Sequence, residues 1–288
     1  MKEISVVDAI ALKSPTAAQR MPRFLIRYLE RILHLEEMNR FLSEHEEVYG
    51  LDFTRAAVDF FELSIEIEGK ENLKQEPRGV YASNHPLGGL DGVALLHIIG
   101  QAHGSVVNIS NDFLLSVEQL QELLVPVNKL GSSREYFHRI DQAYASDVPF
   151  LIFPAGLCSR KFSFGIADLQ WKKSFVKKAR QFKRPIVPMG VTGQNSRFFY
   201  NLARLRKFFG IKFNIEMIYL VDEMMKQRTK TMRVLVSPPV SHEVFDGRFT
   251  DWQWAAKLRQ HVYNMLQEGR VIPFNPDITV TLPDEQID

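Results

Sequence analysis

The chain has 288 residues, 45% of them apolar, the composition of a globular protein with a sizeable buried core, which excludes a disordered or low-complexity chain. Lysine and arginine number 36 against 34 aspartate and glutamate, a net charge of +2, so the overall balance does not point to nucleic acid and only local charge bears on partners. The single cysteine, Cys158, excludes an internal disulfide, the N-terminus has no signal-peptide pattern, and no apolar run approaches the roughly 20 residues of a spanning helix; a reducing, cytoplasmic setting is expected.

In residues 22–47, Leu25, Tyr28, Leu29, Ile32, Leu35, Met38 and Leu42 recur at three- and four-residue intervals, which predicts one amphipathic helix. "DFTRAAVDFFEL" predicts a second, so 1–62 reads as a helical segment packing on the core. After Leu63 come the short apolar or alternating runs "SIEIEG", "GVYASN", "SVVNIS", "LLVPV", "PFLIFPAG", "PIVPMGV", "NIEMIYL" and "MRVLVSPPV", separated by helical stretches. That texture predicts an α/β fold over 63–272: a mixed, largely parallel sheet flanked by helices, with the N-terminal helical layer beside it. "DWQWAAKLRQHVYNMLQEG" predicts a closing helix ended by Gly269, and 273–288, acidic and aperiodic, is expected to be a loosely held tail.

Chemistry concentrates in "SNHPLGGLDG", where five residues separate His85 from Asp91 between a predicted strand and a predicted helix. Histidine suits proton transfer near neutrality once a partner fixes its tautomer, and Gly88 and Gly89 allow the turn that returns Asp91 to the ring. The same residues also fit a turn that only caps a helix. No G-x-S-x-G elbow and no H-E-x-x-H occurs, and His97 and His103 have no metal-ligand spacing, so neither a metal nor another cofactor is expected.

"NHPLGGLD", "GSSREYF", "FPAGLCSR" and "PIVPMGV", in this order across residues 64–240, resemble the four blocks of the glycerophospholipid (lysophosphatidate-type) acyltransferase superfamily, and within it the bacterial hemolysin-like and ornithine- or glycine-lipid members. The resemblance implies a soluble acyl transfer in which His85 is general base and Asp91 orients it. An acceptor hydroxyl or amine would attack the thioester of an acyl chain carried on acyl carrier protein or coenzyme A. It further implies oxyanion donors around Gly88 and Gly89, anion-holding roles for Arg134 and Arg160, and a substrate site that includes Gly156, Ser159, Lys161 and Pro188. Two departures bear on this: the family has four residues between its histidine and aspartate, and its third-block glutamate is Ala155 here. The second favours an amino-acid or aminolipid acceptor, with a lysophosphatidate-like one beside it; the reading from another class is a non-catalytic lipid- or carrier-binding protein of the same fold.

Two cationic segments suit the partners of such an enzyme. "WKKSFVKKARQFKR", 171–184, predicts a helix bearing Lys172, Lys173, Lys177, Lys178, Arg180, Lys183 and Arg184, expected to meet an acidic carrier protein if it is not simply a solvated face. "RFFYNLARLRKFFGIKF", 197–213, combines cations with more aromatic residues than one helix buries and is expected to meet an anionic membrane surface, as is 20–42 with Arg20, Arg23, Arg27 and Arg31. The expected location is the cytoplasm, peripherally on the inner face of the cell membrane. With a pI near 8.5 and no recognised motif, nucleic acid is not an expected partner.

Overall fold

The computed structural model describes residues 4–110, 117–126 and 133–283. Nine strands appear in it: β1 (Ser64–Glu68), β2 (Val80–Ser83), β3 (Val107–Ser110), β4 (Leu124–Pro126), β5 (Phe150–Ile152), β6 (Arg160–Lys161), β7 (Ile166–Ala167), β8 (Ile186–Val191) and β9 (Thr231–Val236). Among the described residues, helices α1 to α4 span Val6–Lys13, Pro15–Arg20, Arg23–Ile32 and Leu35–Glu44, and α5 to α8 span Gly50–Phe60, Lys70–Gln75, Gly89–His103 and Ser133–Ala145. The last four, α9 to α12, span Ser174–Gln181, Arg197–Phe208, Leu220–Met225 and Asp251–Glu268.

Seven strands form one sheet in the order β1-β9-β8-β2-β5-β3-β4, and β6 and β7 form a separate hairpin. Every pairing in the large sheet is parallel except β8 with β9, so the architecture is the mixed, largely parallel α/β sheet expected. β2 and β8 are buried along their whole lengths, as continuous apolar runs in a two-sided parallel sheet require. Their carboxyl ends lie together, and loops at that edge carry polar chemistry in such sheets.

Capping chemistry sets the closing helix. Thr250 accepts from the Gln253 backbone N–H while the Gln253 side chain accepts from Thr250, a capping box, and Gly269 ends the helix at φ +65. Trp254, Leu258, Val262 and Met265 recur at helical spacing and are fully buried, each worth roughly 1.5–3 kcal/mol of apolar burial. Within the described part of the tail, residues 278–283 are bonded back to this helix rather than loosely held. The backbone N–H groups of Thr281 and Leu282 both donate to the Gln260 side chain at 2.9 Å, and Arg259 and Lys257 donate to the carbonyls of Pro283 and Ile278.

The chain divides into two compact units, Tyr49–Gln194 with Thr229–Asp288, and Met1–Val48 with Asn195–Arg228. α5 belongs to the unit with the sheet, where Thr54 Oγ1 lies 3.4 Å from His97 Nδ1. In the helical unit, the single helix predicted over 22–47 is two, because His34 takes a left-handed conformation (φ 48) that breaks the ladder between α3 and α4; its Nε2 lies 3.0 Å from Asp222. "NIEMIYL" is not a strand. It forms a 3₁₀ turn over Ile215–Tyr219 in which Glu216, fully buried, pairs with Arg206 at 3.0 Å; alternation in so short a run does not separate strand from turn.

Candidate active site

The site begins where β2 ends. The Asn84 side chain bonds the backbone of Val191 twice, Oδ1 accepting the N–H at 2.7 Å and Nδ2 donating to the C=O at 2.9 Å, which ties the ends of β2 and β8 together. His85 follows at once. Gly88 then adopts φ 79, ψ −119, a conformation that side chains other than glycine's resist, and α7 starts at Gly89 with Asp91 in its first turn. This glycine absorbs the additional residue between histidine and aspartate: Asp91 Oδ1 lies 2.9 Å from His85 Nδ1, and Oδ2 accepts the Leu87 backbone N–H at 2.8 Å. The carboxylate is fully buried at the positive end of the α7 dipole, where it both bonds the backbone of the turn and pairs with the imidazole. Gly193, at φ +127, lies so close to the Leu87 side chain that a β-carbon there would meet it at 3.1 Å.

The imidazole is fixed on its other sides. Phe153, just after β5, stacks on it with ring centroids 3.9 Å apart and 25° between planes. The His85 C=O accepts the Ser159 N–H at 2.7 Å, and the His85 N–H donates to Asp168 Oδ1 at 3.1 Å. Asp168 is a residue that sequence reasoning passed over. Wholly buried beyond β7, it also accepts the Ser159 hydroxyl at 2.6 Å and the Trp171 indole N–H at 2.9 Å, while its own N–H donates to the Tyr263 hydroxyl and its C=O accepts from Arg259. No local motif marks it; the only signal was a polar residue amid the apolar "GIADLQW".

Burial by itself lowers the basicity of His85, but the charge and hydrogen bonding of Asp91, with the charge of Asp168 behind it, outweigh burial and the opposing Arg160 guanidinium, so the pKa rises above 6.5. Asp168 is itself pushed up by burial, against the three donors that favour its ionised form. Nε2 of His85 has no hydrogen bond among the described residues, and the side chain is 17% exposed.

The remaining expected site residues divide. Gly156 sits at φ +74 in the turn after β5, with the Lys172 ammonium 3.0 Å from where a β-carbon would stand, and Lys161 is exposed on β6. Arg160 is buried and donates to the Cys158 carbonyl at 3.0 Å and sulfur at 3.1 Å, under which burial raises the thiol's pKa. Two expectations are corrected. Ser159 is 1% exposed with its hydroxyl given to Asp168, so it supports the histidine loop rather than contacting substrate. Pro188 is buried within β8, opposite Ala82, and its C=O accepts the Ser237 N–H. The Arg134 side chain lies outside the described residues. Ala155, where a glutamate was absent, belongs to the buried apolar cluster with Trp171 and Phe175.

The basic segment is shorter and less free than its sequence implied. α9 spans only Ser174–Gln181; Lys178 pairs with Asp141 and Arg180 with Asp251 at 3.1 Å. Arg184 is fully buried, donating to the carbonyls of Arg78, Ala143, Tyr144 and Val148, and burial brings its pKa down to about 10. Lys172, Lys173, Lys177 and Lys183 stay exposed.

Comparison with known proteins bears on this arrangement. A family model described as Acyltransferase matches residues 8–271. The lyso-glycine lipid O-acyltransferases of Phocaeicola vulgatus and Bacteroides thetaiotaomicron are each 42% identical over 264 residues, covering 91% of this chain and 95% and 97% of those proteins. The crystal structure of the 1-acyl-sn-glycerophosphate acyltransferase PlsC from Thermotoga maritima is 18% identical, covering 85% of this chain and 89% of that one, with a TM-score of 0.48. Among the described residues, no helix is long and apolar enough to cross a membrane.

Proposed function

Since the chain belongs to the acyltransferase family whose model it matches, and is an acyltransferase, we propose that it moves a fatty acyl chain from a thioester to the hydroxyl of a lyso-glycine lipid, in aminolipid synthesis. Glycine has no hydroxyl of its own, so an O-acyl acceptor built on it carries that hydroxyl on the chain it already bears. The observation that carries the reading is the imidazole: Nδ1 at 2.9 Å from a buried carboxylate, Nε2 open.

The acceptor hydroxyl gives its proton to His85 Nε2 as its oxygen attacks the thioester carbon. The imidazolium is held by Asp91, which fixes the tautomer and balances the charge. A new C–O bond forms and the carbonyl oxygen becomes an oxyanion, for which the unpaired backbone N–H groups at the start of α7, around Gly88 and Gly89, are the donors. Collapse breaks the C–S bond, and the thiolate leaves with the proton that His85 held. No acyl group is attached to the protein at any stage, in keeping with a Cys158 thiol that is buried and hard to ionise.

Asp168 acts through His85. By taking the His85 N–H while Ser159 occupies the C=O, it fixes the peptide from which the imidazole projects. Ala155 supports an acceptor other than a glycerol phosphate, since the family's glutamate would stand in an apolar cluster here. For the donor, Lys172, Lys173, Lys177 and Lys183 form the face on which an acidic carrier protein would land. Substrate and product are both lipids, so the work is done at the cytoplasmic face of the membrane.

The test is to incubate the purified protein with a labelled acyl thioester, on carrier protein and on coenzyme A in separate arms, and to identify products by mass from a panel of lyso-glycine lipid, glycine, ornithine and lysophosphatidate. An ester of lyso-glycine lipid formed at least about tenfold faster than any other product is expected. Preference for lysophosphatidate, or N-acylation of free glycine, would overturn the acceptor assignment.

A further inference from the structure

α10 is apolar on two faces. Phe199, Tyr200 and Ala203 are buried and anchor it within the helical unit. Residues 198, 202, 205 and 209, at four-three-four spacing, make a second stripe: Phe198, Leu205 and Phe209 are 50%, 54% and 65% exposed and Leu202 is half-buried. Phe208 beside the stripe is 82% exposed and Phe213 beyond the helix 63%. Single exposed apolar residues need no explanation, but a contiguous set of this size on one element does.

The exposure is held in place. Arg206 folds inward, pairing with buried Glu216 at 3.0 Å and donating to the Ile211 C=O at 2.8 Å, while the Ile211 N–H returns a bond to the Arg206 C=O. The turn through Gly210, at φ +63, is thereby clamped with its phenyl groups outward. The charges around them have one sign: Arg197, Arg204, Lys207 and Lys212 are all exposed, and 197–213 contains no acidic residue. At the helix start Phe198 packs edge-on against Tyr219, whose hydroxyl lies 2.7 Å from that of Tyr28; Phe24, one turn earlier on α3, is 75% exposed.

We propose that α10 and the turn after it form a docking surface for an anionic lipid bilayer, with the phenyl groups entering the headgroup boundary and the four cations meeting lipid phosphates. Cations alone would serve an acidic protein equally; the outward phenyls, held by an arginine spent on their backbone, fit an interface with hydrocarbon beneath it. Of the two segments whose composition fitted a membrane, 197–213 carries the surface, and 20–42 adds Phe24 at its border.

The full chain, without acyl donor or acceptor, is floated with extruded vesicles of phosphatidylcholine with and without one-third phosphatidylglycerol. The F208S/F209S/F213S variant should bind the anionic vesicles at least about tenfold less at every salt concentration. The R204E/K207E/K212E variant should lose the part of binding that salt removes from the parent chain. Both alter exposed residues, and circular dichroism checks their folds. Undiminished flotation of both variants overturns the proposal, as does equal binding of the parent chain to vesicles lacking phosphatidylglycerol. A parent chain that dimerises through the patch, with the serine variant monomeric and floating as before, also overturns it. Transfer to a detergent-dispersed acceptor should be unchanged in both variants, so binding and the proposed reaction succeed or fail separately.

Discussion

Asp168 lies 83 residues beyond His85 in the chain, yet its carboxylate accepts the His85 backbone N–H at 3.1 Å. The same oxygen takes the Ser159 hydroxyl, so one buried group couples the histidine loop to the segment that also holds the His85 carbonyl. Replacing Asp168 with asparagine keeps an acceptor for two of these donors but turns an N–H toward the Trp171 indole. The expected result is a fall in kcat of about 10- to 100-fold with KM little changed, since what is lost is alignment. It should also lower the pH at which activity appears, because one of the charges favouring imidazolium is gone. An unchanged pH profile alongside normal tryptophan fluorescence would leave Asp168 with no part in positioning.

The dyad makes its own pH prediction. A general base works as the neutral imidazole, and Asp91 and Asp168 hold His85 above 6.5, so kcat/KM should rise with pH through a midpoint above that value. Asp91→Asn should move the midpoint downward while cutting the plateau rate, and His85→Ala should lower turnover by about 10²-fold or more with the fold retained. For stability the sign is opposite to the rate: the pairing favours the folded state fully below pH 6.5 and the contribution fades as pH rises through the folded-state pKa. Urea unfolding of the parent chain and His85→Ala between pH 6 and 9 measures it.

His261 on α12 behaves in the reverse way. Burial lowers its pKa to about 4, and Ser237 lies 3.0 Å from Nε2. The folded state therefore favours the neutral ring, a contribution complete above pH 6.5 and lost as pH falls toward 4, worth up to about 3 kcal/mol. Acid should destabilise the parent chain over that window more steeply than His261→Gln, as followed by thermal unfolding at fixed pH steps.

The exposed lysines separate the two donors. Changing Lys172, Lys173 and Lys177 to glutamate should reduce transfer from acyl carrier protein by about tenfold at low salt and leave transfer from coenzyme A within about twofold, because only the carrier presents an extended acidic surface. Equal losses with both donors would instead tie Lys172, which lies over Gly156, to the site itself.

The sheet and the pairing of His85 with Asp91 were legible because both are written locally. Apolar runs bounded by turn residues mark β2, β5 and β8, and His85 and Asp91 lie within one short block. What escaped depends on distance. Asp168, Tyr263 and Arg259 look ordinary in sequence and meet only where the fold brings them to the histidine loop. Ser159 and Pro188 stood in the right blocks, yet a block gives position along the chain and not burial, and both proved to be internal. Arg184 shows the same limit, a cation in a basic run that serves four backbone carbonyls inside the protein.

The clamp on His85 also bears on when the enzyme comes into being. His85 and Asp91, the proposed reacting side chains, are both made by residue 91, but the groups that hold the His85 peptide come from Ser159 and Asp168, and Asp168 in turn leans on Arg259 and Tyr263 of the last helix. A nascent chain emerging from the ribosome therefore carries its dyad through most of synthesis without the scaffold that aligns it. On the proposed mechanism competence arrives only as α12 closes, and cleavage of a finished molecule ahead of that helix that lets α12 depart should silence it with His85 and Asp91 intact.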